Sequence, residues 1–176
     1  MKLIILDRDG VINYDSPEFI KHPNEWKPLP GSLEAIASLV QADYCVVVAT
    51  NQSGIGRGLF DMLTLNVIHD KMHKMVAQAA GRIDAIFYCP HTAEADCACR
   101  KPKTGMLEAI AKRYNMNLKG VPIVGDALRD LESAAKMGAQ PILVLTGKGA
   151  KTQANGGLPE GTLVYRDLAA VVPTLI

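Results

Sequence analysis

Lys2-Leu3-Ile4-Ile5-Leu6-Asp7-Arg8-Asp9-Gly10 joins a short apolar run directly to two carboxylates one residue apart. A run of this length and composition reads as a buried strand. Its carboxylates cannot enter an apolar core without a heavy desolvation cost, so they belong at the strand's carboxyl-terminal mouth. Open α/β sheets place their chemistry there, around a cation or a reacting group. Asp9-Gly10 is also a turn signal, so these residues alone leave a plain solvated turn equally open.

The rest of the chain repeats the pattern. Strands are expected at Lys2–Leu6, Tyr44–Ala49, Ala85–Tyr88, Val121–Val124, Pro141–Leu145 and Thr162–Tyr165. They are continuous apolar runs, as parallel strands covered on both faces should be. Helical stripes lie between them: Leu33, Ile36, Ala37 and Val40; Leu65, Ile68, Met72, Met75, Val76 and Ala79; Leu107, Ile110, Ala111 and Tyr114; and the shorter Leu131, Ala134 and Ala135. Strand–helix alternation predicts an α/β fold, a three-layer sandwich around a mainly parallel, doubly wound sheet. No repeat or linker divides residues 1–176, so one domain is expected. Gly147–Gly161 carries five glycines and reads as a mobile surface loop.

Three strands run into distinctive polar residues: Asp7 and Asp9, then Thr50-Asn51-Gln52-Ser53, then Gly125-Asp126 followed by Asp130. In a parallel sheet these ends share one edge and can converge. Three carboxylates at one point cannot all stay ionised without nearby positive charge. Mg²⁺ suits them, since it takes hard oxygen ligands and leaves positions for water and a substrate phosphate. Arg100-Lys101 supplies fixed positive charge. These parts suffice for phosphoryl transfer through an aspartyl-phosphate, with a second carboxyl group as acid and base. Capping of the following helix is the alternative for Asp126 and Asp130, and the better one for Asp130 taken alone, but it does not explain why the pattern recurs at several strand ends.

In order, Asp7-Arg8-Asp9-Gly10-Val11, Thr50-Asn51, Lys101 and Gly125-Asp126-x-x-x-Asp130 resemble the four motifs of the haloacid dehalogenase superfamily over nearly the whole chain. The resemblance implies that Asp7 is the nucleophile and Asp9 the general acid/base, with Thr50 and Lys101 holding the transferred phosphoryl group. It assigns Mg²⁺ to Asp7, Asp126 and the backbone carbonyl of Asp9, with Asp130 supporting them from behind. An acid at position 9 implies a phosphatase rather than a dehalogenase.

Cys89-x-His91-x5-Cys97-x-Cys99 gathers three cysteines and a histidine within eleven residues. Three thiolates and an imidazole make a closed tetrahedral Zn²⁺ site, which predicts a structural role. Free thiols or a disulfide are the other readings. The fourth cysteine, Cys45, lies in the second strand and is expected as a buried thiol. The cluster narrows the resemblance to the heptose-bisphosphate phosphatases of the superfamily, with histidinol-phosphate phosphatases as close relatives. Thr50 to Gly58 resembles their loop after the second strand, and Asn13 to Glu18 occupies their substrate loop.

This resemblance implies Mg²⁺-dependent removal of the 7-phosphate of a heptose 1,7-bisphosphate, in nucleotide-activated heptose synthesis for lipopolysaccharide or related glycans. It implies substrate contacts from Asp15, Ser16, Pro17, Glu18, Asn51, Gln52, Ser53, Arg57, Arg100 and Lys101. The zinc loop is shorter than is usual there, and Ala127 stands where many relatives carry a lysine. No segment is long enough to form a separate cap domain, so an open site edged by three loops is expected. Histidinol phosphate is the rival substrate, and a non-catalytic phosphosugar-binding zinc module is the rival class.

The chain is 48% hydrophobic and 21% charged with a net charge of +1, which gives no nucleic-acid footprint. No apolar run approaches the ~18 residues that span a bilayer. The amino-terminal apolar stretch is too short for a signal peptide, so a cytoplasmic monomer is expected, with a small phosphosugar as partner and no membrane or nucleic acid. His69-Asp70-Lys71-Met72-His73 lacks the glutamate of a zinc-protease motif and reads as a solvated helix flank. Gly54-x-Gly56-x-Gly58 lacks dinucleotide spacing, and Gly147 to Thr152 matches a phosphate loop only loosely. Trp26 and Tyr14 read as packing aromatics.

Overall fold

In the computed structural model, which describes residues 1–176, six strands form one sheet with every pairing parallel. They are β1 (Lys2–Leu6), β2 (Tyr44–Asn51), β3 (Ala85–Cys89), β4 (Pro122–Gly125), β5 (Gln140–Val144) and β6 (Leu163–Tyr165). The order is β3-β2-β1-β4-β5-β6. The chain winds outward from β1 in one direction through β3. It then returns to the other side of β1 and winds outward through β6. Between β1 and β4 the winding reverses, which opens a crevice at the carboxyl ends of those two strands.

Successive side chains of a strand point to opposite faces, so β1 feeds two cores. Ile4 and Leu6 pack with Ala35, Ile36 and Leu39 of α1 (Ser32–Gln41), with Ile68, Met72 and Val76 of α2 (Met62–Gln78), and with Leu168 and Val171. Leu3 and Ile5 pack with Met106, Leu107 and Ile110 of α3 (Gly105–Tyr114) and Ala134 of α4 (Leu128–Lys136). These are the three expected layers. Each fully buried aliphatic side chain contributes about 1.5–3 kcal/mol. Asp61 fixes the start of α2 by accepting from the Thr64 amide at 2.8 Å, an N-cap bond.

The structure corrects the sequence reading at three places. Gly147–Gly161 is not a uniform loop, because Gly149–Asn155 forms a helix, α5. A further helix, α6, spans Leu168–Val171, with Asp167 accepting from Ala170 N at 2.9 Å as its cap. Cys45 is half-buried rather than buried. Trp26 is fully buried in the first core, as a packing residue should be. No helix is long and apolar enough to cross a membrane.

Candidate active site

Buried polarity is concentrated at one edge of the sheet. Of twelve buried polar residues, nine stand at or beside its carboxyl ends: Asp7, Arg8, Asn13, Thr50, Gln52, Ser53, Lys101, Asp126 and Asp130. Asp7 follows β1 and Asp126 follows β4, and the Asp7 amide donates to Val124 O at 2.9 Å across the crevice. Asp7, Asp126 and Asp130 each bring an oxygen within 4.8 Å of the others. Two glycines make this approach possible. Gly10 (φ +85°) and Gly147 (φ +56°) lie against the Asp126 carboxylate, where a Cβ on either would overlap its Oδ2.

The three carboxylates differ in partners. Asp130 has both oxygens committed: Oδ1 accepts from Lys101 Nζ at 3.0 Å and Oδ2 from the Ala127 amide at 3.0 Å. Burial opposes its ionisation, but Lys101 and Arg129 outweigh it and hold its carboxyl below the usual range. Asp126 accepts only from the Lys148 amide, at 2.9 Å. Burial, then the charges of Asp7 and Asp130, push it up to about 8. Asp7 accepts from Lys101 Nζ at 3.4 Å, and burial followed by the Asp130 charge pushes it up to about 6. Two facing carboxylates that resist ionisation, with hard oxygens directed at one point, fit a divalent cation such as Mg²⁺. Lys101 is 4% exposed; burial opposes its charge, but Asp130 and Asp7 raise its pKa above the ordinary value.

Asp9 is held differently. Its Oδ1 accepts from Arg8 Nε at 2.8 Å and Asn13 Nδ2 at 2.9 Å, and its Oδ2 from Gln52 Nε2 at 3.3 Å. Burial would raise its pKa, but the Arg8 charge and these three donors bring it below the ordinary range. Gln52 also donates to Thr50 Oγ1 at 3.0 Å. Asn51 clamps the lysine segment from both sides, with Nδ2 donating to Lys101 O at 3.3 Å and Oδ1 accepting from Lys101 N at 3.1 Å. The amides of Asn51 and Gln52, expected on substrate, are thus engaged with protein.

Above these groups opens a cavity of about 260 Å³ whose lining includes Asp7, Asp9, Asp15, Ser16, Pro17, Thr50, Ser53, Arg57, Arg100 and Asp126. Two expected substrate residues are absent from the lining. Glu18 is exposed and points elsewhere, because the backbone turns at Phe19 (φ +67°) and brings Phe19 to the cavity instead. Lys101 is buried beside the lining, with its Nζ 3.4 Å from Asp7 Oδ1.

Four cations line the mouth. Arg57 lies over the Phe19 ring at 5.6 Å, Arg100 donates to His91 O at 3.3 Å, and Lys148 pairs with Asp15 at 3.1 Å. The Arg57 and Arg129 side chains have neither a hydrogen bond nor an ion pair with the protein; at Arg129 burial opposes the charge, and Asp130, Asp7, Asp126 and Asp15 sustain it. Sequence reasoning missed Arg129 and Lys148. Only the first has a sequence signal, its place between Asp126 and Asp130. The Lys148 segment has the composition of a loop, yet it closes the site. Besides the Lys148 amide, Thr152 Oγ1 donates to Asp126 O at 2.7 Å and Thr146 Oγ1 to Gly10 O at 2.6 Å. His69 is also corrected: it is buried, not a solvated flank.

The second cluster leaves β3 directly. Cys89, His91, Cys97 and Cys99 bring their ligand atoms within 4.8 Å of one another. Cys89 Sγ lies 3.6 Å from both His91 Nδ1 and Cys97 Sγ, and Cys99 Sγ 3.4 Å from His91 Nδ1. Ligands at Zn²⁺ distances and tetrahedral angles stand about 3.3–3.8 Å apart. Cys89 and Cys99 are closer, at 2.6 Å, beyond the length of a disulfide bond. Burial and the adjoining thiols push Cys89 up to about 12. Burial opposes ionisation of Cys97 too, but the Arg100 amide with Cys89, His91 and Cys99 outweighs it and brings Cys97 down to about 6. Crowded sulfurs, one of which ionises readily, fit a soft divalent cation.

Comparison with known proteins agrees with this geometry. A HAD-hydrolase-like family profile matches residues 98–171. A D-glycero-beta-D-manno-heptose-1,7-bisphosphate 7-phosphatase from Bordetella bronchiseptica is 64% identical over 176 residues, 100% of this chain and 98% of that protein. The enzyme of the same name from Pseudomonas putida is 54% identical over 176 residues, 100% of both chains. The crystal structure of D,D-heptose 1,7-bisphosphate phosphatase from B. bronchiseptica, complexed with magnesium and phosphate, matches with a TM-score of 0.98 and 64% identity, over 99% of this chain and 98% of that one.

Proposed function

Because this chain belongs to the HAD-like hydrolases and, within them, to the heptose-1,7-bisphosphate 7-phosphatases, we propose that it removes the 7-phosphate of D-glycero-β-D-manno-heptose 1,7-bisphosphate. The observation that carries this reading is the buried Asp7–Asp126 pair with Lys101 beside it, at the floor of a cavity edged by cations. The finer reading is a single-domain cytoplasmic monomer that supplies nucleotide-activated heptose for surface glycans.

Asp7, Asp126 and the carbonyl of Asp9 would hold Mg²⁺. Bound there, the cation neutralises oxygen charge on the phosphoryl group and keeps Asp7 ionised. Asp130 stays behind, because both its oxygens are occupied. Asp7 attacks phosphorus from one side, and the C7 oxygen leaves from the other with its electron pair. Lys101 and Thr50 hold the equatorial oxygens. Asp9 donates a proton to the departing oxygen. It then takes one from the water that cleaves the aspartyl-phosphate, releasing inorganic phosphate and restoring Asp7. Asp9 is ionised in the resting site, so it takes that proton from solvent water as the substrate's phosphate enters and adds negative charge beside it.

Arg57, Arg100 and Arg129, with Asp15, Ser16 and Pro17, receive the sugar and its second phosphate. Cys89, His91, Cys97 and Cys99 would hold Zn²⁺, which fixes the loop that carries Arg100 to the mouth. Phosphate release from both anomers of the heptose bisphosphate and from histidinol phosphate, with and without Mg²⁺, tests the reading. The β-bisphosphate should lead in kcat/KM by about tenfold or more and only with Mg²⁺. Histidinol phosphate in the lead would overturn the substrate.

A further inference from the structure

The reaction uses the first strand's carboxylates but leaves a buried histidine unexplained. His69, on α2, is 7% exposed, and its Nε2 lies 3.1 Å from Arg8 Nη1. Arg8 is 0% exposed, and its Nε donates to Asp9 Oδ1 at 2.8 Å. A guanidinium only donates, so His69 Nε2 presents its lone pair and the ring proton sits on Nδ1. Burial, then the Arg8 charge, push His69 down to about 3, so it remains a neutral acceptor throughout the working pH range.

Arg8 has few other contacts. Its Nη2 is buried with no hydrogen-bond partner, and Asp9 is its one ion-pair partner. The guanidinium is a rigid plane anchored at two points, Asp9 on one side and His69 on the other. Without the histidine it keeps a single anchor and a second buried nitrogen goes unpartnered, which favours a reorientation. That reorientation would carry Asp9 Oδ1 with it.

We propose that His69 is a positioning residue for the acid/base step, holding Asp9 in its productive orientation through Arg8. The proposal rests on the reading of Asp9 as the proton donor. It predicts a dependence on the leaving group, because an alkyl oxygen needs a proton to depart and an activated aryl oxygen does not.

The test compares kcat/KM on the heptose bisphosphate with kcat/KM on p-nitrophenyl phosphate. Both report the first transfer to Asp7. His69→Leu and His69→Phe remove the acceptor, and His69→Gln keeps one in its carbonyl oxygen. The first two should lose about 10- to 100-fold on the sugar phosphate, the range expected when a reacting group is misplaced. They should lose less than about 3-fold on the aryl ester, whose departure needs no acid. His69→Gln should recover most of the sugar-phosphate activity. Equal losses on both esters, no loss on either, or failure of both acceptor-free variants to fold would overturn the proposal and leave His69 a packing residue. Asp9→Asn separates the two claims. It must show the same leaving-group pattern more strongly, and if it does not, the acid assignment falls whatever the His69 variants do.

Discussion

The carboxylate cluster and the cysteine cluster both bring metal-binding atoms within 4.8 Å, but they are held in different ways. Asp7 is more than a hundred residues from Asp126 and Asp130, and they meet because β1 and β4 are adjacent in the sheet. These residues are 2–7% exposed, and their positions follow from strand ends that two cores hold in place. The cysteine cluster comes from one stretch of eleven residues. Only Cys89 is buried, at the end of edge strand β3, and no other regular element than a single 3₁₀ turn, Ala93–Ala95, lies within the loop. The first site is built by the fold and would exist without its ion. The second has little besides a bound ion that could hold it.

Removing a ligand from each site should therefore have opposite consequences. Asp7→Asn should lower phosphate release on the order of 10⁴-fold or more, as loss of a nucleophile does. It should leave thermal stability unchanged or slightly improved at pH 8 without Mg²⁺, because it removes a carboxylate that burial already disfavours in its charged form. A drop in melting temperature matching the drop in rate would break the comparison. Cys97→Ser should do the reverse. It should abolish the one bound zinc per chain measured by atomic emission and lower Tm by about 5–10 °C. Rate should fall only about 3- to 10-fold, through Arg100 and the adjoining Lys101 segment. Unchanged zinc content, or an unchanged melting temperature after zinc loss, would remove the structural role.

The same difference explains what the sequence disclosed. The cysteine cluster is local, so spacing alone named the four side chains that converge. The carboxylates at the sheet edge come from distant segments, yet each segment follows an apolar run, and β1 lies where the run predicts it, at Lys2–Leu6. Other features depend on which elements pack together, and no local pattern carries that. His69 has the neighbours of a solvated helix face, but α2 covers the first core and turns it onto Arg8. Arg129 faces the cavity only because α4 begins directly behind Asp126. Gly147 and Gly149 look like loop residues. Their real constraint is space: the first lies against Asp126 and the second against the Val144 carbonyl. Phe19 displaces Glu18 through a left-handed backbone turn that its side chain does not announce.

A smaller effect sharpens the comparison further. A site built by the fold before its ion arrives must hold its carboxylates against their own repulsion. Asp126 is pushed up to about 8 and Asp7 to about 6, both from 3.8. A carboxyl raised on folding stabilises the protein fully below its unfolded pKa, and that contribution is lost as pH rises through its folded pKa. The metal-free protein should therefore melt at progressively lower temperature between about pH 4 and pH 8, unlike a protein whose carboxylates are paired. Mg²⁺ competes with the protons for the same oxygens. At about ten times its dissociation constant at pH 8 it contributes about 1.4 kcal/mol, or roughly 3–5 °C in Tm. At pH 5.5 both Asp7 and Asp126 are largely protonated, and the same Mg²⁺ concentration should raise Tm by less than about 1 °C. Calorimetry across this range, with and without Mg²⁺, checks both slopes. Zinc removed, the Mg²⁺ response should persist, since the strand ends and not the cysteine loop hold those oxygens; its loss on chelation of zinc would mean that the two sites are one structure.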